Sequence, residues 1–124
     1  MSEEKIPADL RIFLLRHIDS VAQLEALVLL SASPQDRWTS AKLASRLYIS
    51  EDQALPLLHS LAEDGFVEIV DEEFSYTGHP ERRQTVRSLA DFYASHIVAV
   101  TQLIHSKPRR IREFANAFRL KKDR

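Results

Sequence analysis

A chain of 124 residues, 44% hydrophobic and 28% charged, has the size and balance of one globular domain. Two glycines exclude a glycine-rich phosphate loop, and the lack of cysteine excludes disulfides, thiolate zinc sites and cysteine nucleophiles. Net charge is −1 but uneven: residues 106–124 hold eight Lys or Arg against two acidic residues, so the remainder is acidic and its mean field does not attract nucleic acid.

The longest apolar run, residues 26–30, is too short to cross a bilayer. The opening MSEEKIP is acidic where a signal peptide is basic, so a cytoplasmic protein with no membrane partner is expected.

Pro7 to Ile18 reads as a first helix, with Leu10, Phe13, Leu14 and Ile18 at helical spacing. Ser20 and Gln23 have capping-box spacing and open a second helix that ends at Ser33-Pro34. Its apolar residues Leu24, Leu27, Val28, Leu29 and Leu30 cover more than one side, so it should be buried widely. Gln35 to Arg37 is a polar connector, and Trp38 anchors it to the core.

Thr39 or Ser40 caps a third helix whose inward face is Leu43, Ala44 and Leu47. A tight turn follows at Tyr48-Ile49-Ser50. Ser50 and Gln53 form a second capping-box pair, and Ala54, Leu58 and Leu61 line a fourth helix that stops at Gly65. Pro56 is costly inside a helix, about 3 kcal/mol, which predicts a kink or a delayed helix start. Residues 66–70 and 74–76 are strand-like, joined by Asp71-Glu72-Glu73 without the usual Asn-Gly signal.

Gln84 to Ser106 reads as one long helix. Val86, Ala90, Tyr93, Ile97, Val100 and Ile104 step by 4, 3, 4, 3, 4, a heptad seam suited to a homodimer. Leu89, Phe92, Ala99 and Leu103 form a second stripe beside it; the alternative is that both stripes are core. Pro108 breaks this helix. Residues 109–120 place Ile111, Phe114, Ala115 and Phe118 at helical spacing opposite arginines, either a docked terminal helix or a tail for an anionic surface.

The run Thr39-Ser40-Ala41-Lys42-Leu43-Ala44, then Leu47-Tyr48-Ile49-Ser50, then Leu58, Leu61, Gly65-Phe66-Val67, resembles the core of winged helix-turn-helix transcriptional regulators, broadly the MarR-like and PadR-like groups. The flanks, residues 13–20 and 114–120, are similar to those of small bacterial winged-helix proteins, a likeness that assigns no activity. The resemblance implies a mainly α fold with a small β-hairpin wing and a long C-terminal helix. The resemblance covers roughly residues 21–76; with the flanking segments, one domain is expected over 1–124: N-terminal helices at 7–33, motif and wing at 38–77, long helix at 84–106, basic tail at 107–124.

The resemblance also implies a recognition helix in the major groove and a wing on the backbone or minor groove. The positions it nominates on the recognition helix are Gln53, Pro56, His59, Ser60 and Glu63. Thr39, Ser40, Lys42 and Arg46 would meet phosphates, and Arg82 and Arg83 follow the wing. This sequence departs from the pattern at the point that matters most: residues 51–64 contain no Lys or Arg and four acidic residues, and the wing tip adds three more. Phosphate neutralisation supplies most nucleic-acid affinity, and Arg to guanine is the commonest specific base contact.

No catalytic pattern emerges. The five histidines, His17, His59, His79, His96 and His105, lack metal-site spacing, and no nucleophile elbow is present. An effector pocket between the long helix and the motif has no residue marking it. The expectation is therefore a non-catalytic regulator without cofactor, binding DNA as a homodimer. The alternative is a protein-interaction adaptor using the same scaffold through its acidic helix and wing.

Overall fold

The computed structural model describes residues 6–107. In chain order these form α1 (Ala8–His17), α2 (Val21–Ala32), β1 (Arg37–Trp38), α3 (Ser40–Leu47), α4 (Glu51–Glu63), β2 (Val67–Val70), β3 (Glu73–Tyr76) and α5 (Pro80–Ser95). A sixth helix, α6, covers 97–107. The tail expected beyond 107 lies outside the described residues.

Helix α2 is the central element. Leu24, Ala26, Leu27 and Leu30 are fully buried, and the helix meets α3, α4, α5 and β3. Removing any of these leucine side chains leaves a cavity costing about 2–5 kcal/mol. The Ser20 hydroxyl caps α2 by accepting from Gln23 N at 3.0 Å. Gln23 does not complete a reciprocal box; its Oε1 accepts from Asp19 N at 2.7 Å and its Nε2 donates to Ser60 Oγ at 2.8 Å. The start of α2 is thereby tied to α4, and this explains why a glutamine is buried there.

The helix-turn-helix follows from local caps. Thr39 Oγ1 accepts from Lys42 N at 3.1 Å to open α3. Tyr48 closes it in the left-handed region at φ 60, with Ile49 N bonded to Ala44 O at 3.1 Å. Ser50 and Gln53 form the full reciprocal box at the start of α4. Leu43 and Ala44 of α3 and Ala54, Leu58 and Leu61 of α4 share the core. The delayed start expected from Pro56 is not observed. Helix α4 runs from Glu51 with Pro56 in its second turn and solvent-facing, so its ring meets water rather than packed neighbours.

The wing has three strands in the order β1-β3-β2, one more than the expected hairpin. The connector strand β1 pairs Arg37 with Ser75 and Trp38 with Phe74. Between β2 and β3, Val70 pairs with Glu73, which leaves a two-residue turn. Asp71 and Glu72 both take positive φ, 53 and 67, the requirement of a type I′ hairpin turn. Asp-Glu thus fills a turn that Asn-Gly suits better.

The helix expected over 84–106 is corrected in two ways. It starts earlier, with Pro80 at its first position, and it is broken at His96. The imidazole Nδ1 lies 3.1 Å from Phe92 O, the carbonyl that His96 N would otherwise use, while His96 N turns to Tyr93 O at 3.2 Å. A side chain that competes for a helical acceptor ends the helix. The ring also stacks on Phe92 with centroids 4.0 Å apart. Helix α6 then folds back and buries Val100, Leu103 and Ile104.

The last described residue of α6 is fixed to the end of α1. Lys107 is 4% exposed, and its Nζ donates to Ile18 O at 2.8 Å and Leu14 O at 3.4 Å. It also pairs with Asp19 at 2.9 Å. A cation at a helix C-terminus satisfies orphan carbonyls and opposes the negative end of the dipole.

Candidate nucleic-acid interface

The exposed face of the motif is built from α3, α4 and β1. Along α4 the stripe Asp52, Leu55, Pro56, His59 and Glu63 is open to solvent. No other element of the described chain covers it. The His59 ring meets Phe74 edge-on at 5.5 Å, which sets the wing beside α4.

The nominated residues divide. Lys42 and Arg46 lie near the Trp38 ring, at 4.4 and 5.8 Å from its centroid. Lys42 Nζ is also 3.5 Å from Asp36 Oδ2 and donates to Arg37 O at 3.3 Å. Arg37, in the expected connector, belongs with them: it is exposed on β1 and reaches Asp71 at 3.9 Å and Glu73 at 3.7 Å. A two-residue strand gives too little pattern to reveal it. Thr39 and Gln53 are occupied as caps, Ser60 is occupied by Gln23, and Ser40 is half-buried at the start of α3.

Arg82 and Arg83 go elsewhere. Arg82 lies over the Phe66 ring at 3.9 Å, and its Nη1 would sit 3.0 Å from a Cβ added at Gly65, which holds φ 83. Arg83 lies over Tyr76 at 5.0 Å and donates from Nε to Gly78 O. Both guanidiniums fasten α5 to the wing base instead of extending the α3 cations. Burial raises the Tyr76 phenol above its ordinary value, partly offset by Arg83, Arg82 and Arg87. Beside Tyr76, Arg83 and Arg87 a cleft of about 380 Å³ opens between α2 and α5 rather than against α3 and α4.

The seam residues are distributed within the chain. Val86, Tyr93, Val100 and Ile104 are buried in it, Ala90 is half-buried, and Ile97 is 53% exposed. The second stripe behaves alike, with Leu89 and Leu103 buried. The break at His96 stops residues 97, 100 and 104 from continuing the line of 86, 90 and 93. Tyr93 also donates to Glu25 Oε2 at 2.8 Å, and burial first, then this carboxylate, pushes its hydroxyl up to about 12.

Among the described residues no cluster of three His, Asp or Glu is placed to hold a metal, and no helix is long and apolar enough to cross a membrane.

Comparison with solved structures finds the same architecture. MepR, a transcription regulator of the Staphylococcus aureus multidrug efflux pump MepA, matches with a TM-score of 0.53 and 18% identity, over 94% of this chain and 87% of that one. The heme sensor protein PefR from Streptococcus agalactiae, in complex with heme, matches at 0.49 and 19%, over 89% and 86%. Neither a scan of family models nor a search of curated proteins finds a match. At such identities the first likeness establishes the fold: a winged helix-turn-helix, as found in transcription regulators.

Proposed function

From the winged helix-turn-helix fold it shares with MepR, we infer that this chain is a non-catalytic regulator that binds duplex DNA. One observation carries the reading: the outward stripe of α4, from Asp52 to Glu63, is left uncovered beside a twisted three-stranded wing. That is the surface such a fold lays in a groove. Arg37, Lys42 and Arg46 on the adjoining edge supply the phosphate contacts, while α4 itself offers His59 and the amide nitrogen of Gln53 that its cap leaves over. Titration of genomic fragments at low salt tests it. Lys42→Glu with Arg46→Glu should weaken binding about tenfold or more and flatten the salt slope by about one unit per lost contact. No shift of wild-type protein on any fragment overturns it.

The acidity of α4 and the wing tip favours a second reading, a protein adaptor with a basic partner. Capture unaffected by neutralising Glu63, Asp64 and Asp71 to Glu73 removes that reading.

A homodimer is part of the first reading. With Val86, Tyr93, Val100 and Ile104 occupied inside the chain, Ile97 and the 68%-exposed Val98 supply its contact. Val98→Glu should give a monomer by sedimentation; an unchanged mass removes that contact.

A further inference from the structure

We propose that the uncovered face of α4 is the seat of this chain's own basic end, residues 108–124, bound in cis. The inference concerns the same face as the DNA reading but does not rest on it.

The face is apolar in the middle and acidic around it. Leu55 is 41% exposed on α4. On the wing, Ile69 pairs with Phe74 and therefore shares its side of the sheet, the side whose Phe74 ring meets His59. Ile69 nevertheless remains 52% exposed. Asp52 and Glu63 stand on α4 above and below Leu55, and Glu72 sits at the wing tip. No Lys or Arg lies within residues 51–64.

The occupant matches this in composition. Residues 108–124 carry Arg109, Arg110, Arg112, Arg119, Lys121, Lys122 and Arg124 against Glu113 and Asp123. Ile111, Phe114 and Phe118 recur among them at intervals of three and four. Basic groups flanking spaced apolar ones complement carboxylates flanking Leu55 and Ile69. Because both partners belong to one chain, the pairing is intramolecular and its effective concentration is raised by the tether.

The exit point places the segment within reach. Lys107 is fixed to Asp19 at 2.9 Å, Asp19 N to Gln23 at 2.7 Å, and Gln23 to Ser60 of α4 at 2.8 Å. On the next residues along, His17 Nδ1 lies 3.1 Å from Asp64 Oδ2. The described chain therefore ends at the Asp19 corner, which Gln23 links to the C-terminal half of α4. The 17 remaining residues span about 25 Å even at helical rise, against about 16 Å for the Asp52–Glu63 stripe, which leaves some length for the approach.

The lack of cysteine allows a single nitroxide on full-length Asn116→Cys. Amide signals of Asp52, Leu55, His59 and Glu63 should lose about half or more of their intensity at low salt and recover most of it at about 0.5 M, where the Debye length is about 4 Å. Asp52→Lys with Glu63→Lys, both at exposed positions, should abolish the loss without changing the remaining spectrum. Broadening absent from α4, or spread evenly over the surface, overturns the proposal. Broadening of α4 in a mixture of unlabelled-spin and spin-labelled chains gives the seat to a second copy and overturns binding in cis. No arm contains DNA, so failure of the DNA reading leaves the outcome distinct.

Discussion

Two of the joints between consecutive helices in the described chain are made differently. At Tyr48 the chain leaves α3 through a left-handed residue, and α4 begins at once under the Ser50 and Gln53 box. At His96 the chain leaves α5 because an imidazole takes up the carbonyl of Phe92. The first joint is written in residue types with strong positional preference, Ser and Gln at a helix start. The second depends on the rotamer of one side chain, and the apolar spacing runs through it undisturbed. A tight turn is specified locally; a fold-back of two amphipathic helices is specified by what lies at its far end.

That far end is Lys107, and its removal should give the largest effect. Lys107→Met keeps the stem but leaves the carbonyls of Leu14 and Ile18 without their cation. The expected cost is about 2 kcal/mol in chemical unfolding, less than for a fully buried pair because Asp19 is 74% exposed and stays solvated. An effect under about 0.5 kcal/mol would mean that α6 is held by Val100, Leu103 and Ile104 alone.

At the first joint, Ser50→Ala removes the hydroxyl arm of the capping box, leaving only the backbone N–H of that position on Gln53 Oε1, and should cost about 1 kcal/mol. Tyr48→Gly should do the reverse. The side chain is 93% exposed and loses little packing, while glycine accepts φ 60 without strain, so stability should rise by about 0.5–1 kcal/mol. If both variants are neutral, the α3–α4 geometry comes from Leu43, Leu58 and Leu61 in the core and not from the turn.

His96→Ala should change stability least among these, since the lost side-chain bond is offset by the recovered helical bond to Phe92 O. Its signature is conformational: Cα chemical shifts of residues 95–98 should move toward helical values. A pH titration refines the description of α5. Tyr93 ionises at about 12 in the fold against about 10 when unfolded, so its stabilising contribution is complete below pH 10 and disappears as pH rises to 12. Tyr93→Phe should remove that part of the alkaline slope.

The same contrast separates what could be read in advance from what could not. The positions of α1 to α4, the β2–β3 hairpin and the burial of α2 followed from period, caps and the Gly65 stop, because each rests on neighbours within about four residues. The third strand was hidden because two residues, Arg37 and Trp38, carry no alternation. The fates of Arg82 and Arg83 were hidden as well. Whether an arginine meets a phosphate or an aromatic ring depends on Phe66 and Tyr76, which the chain brings to them only when folded. Gln23 shows the limit within a recognised motif: the spacing was that of a capping box, but its amide found better partners 37 residues away.

Gln23 also couples parts of the molecule that sequence separates widely. One amide group braces α4 through Ser60 and the Asp19 corner, on which Lys107 rests. A ligand that tilts α4 by even a fraction of a bond length must strain or sever that brace. The departing end of the chain would register the event without any contact with the ligand itself.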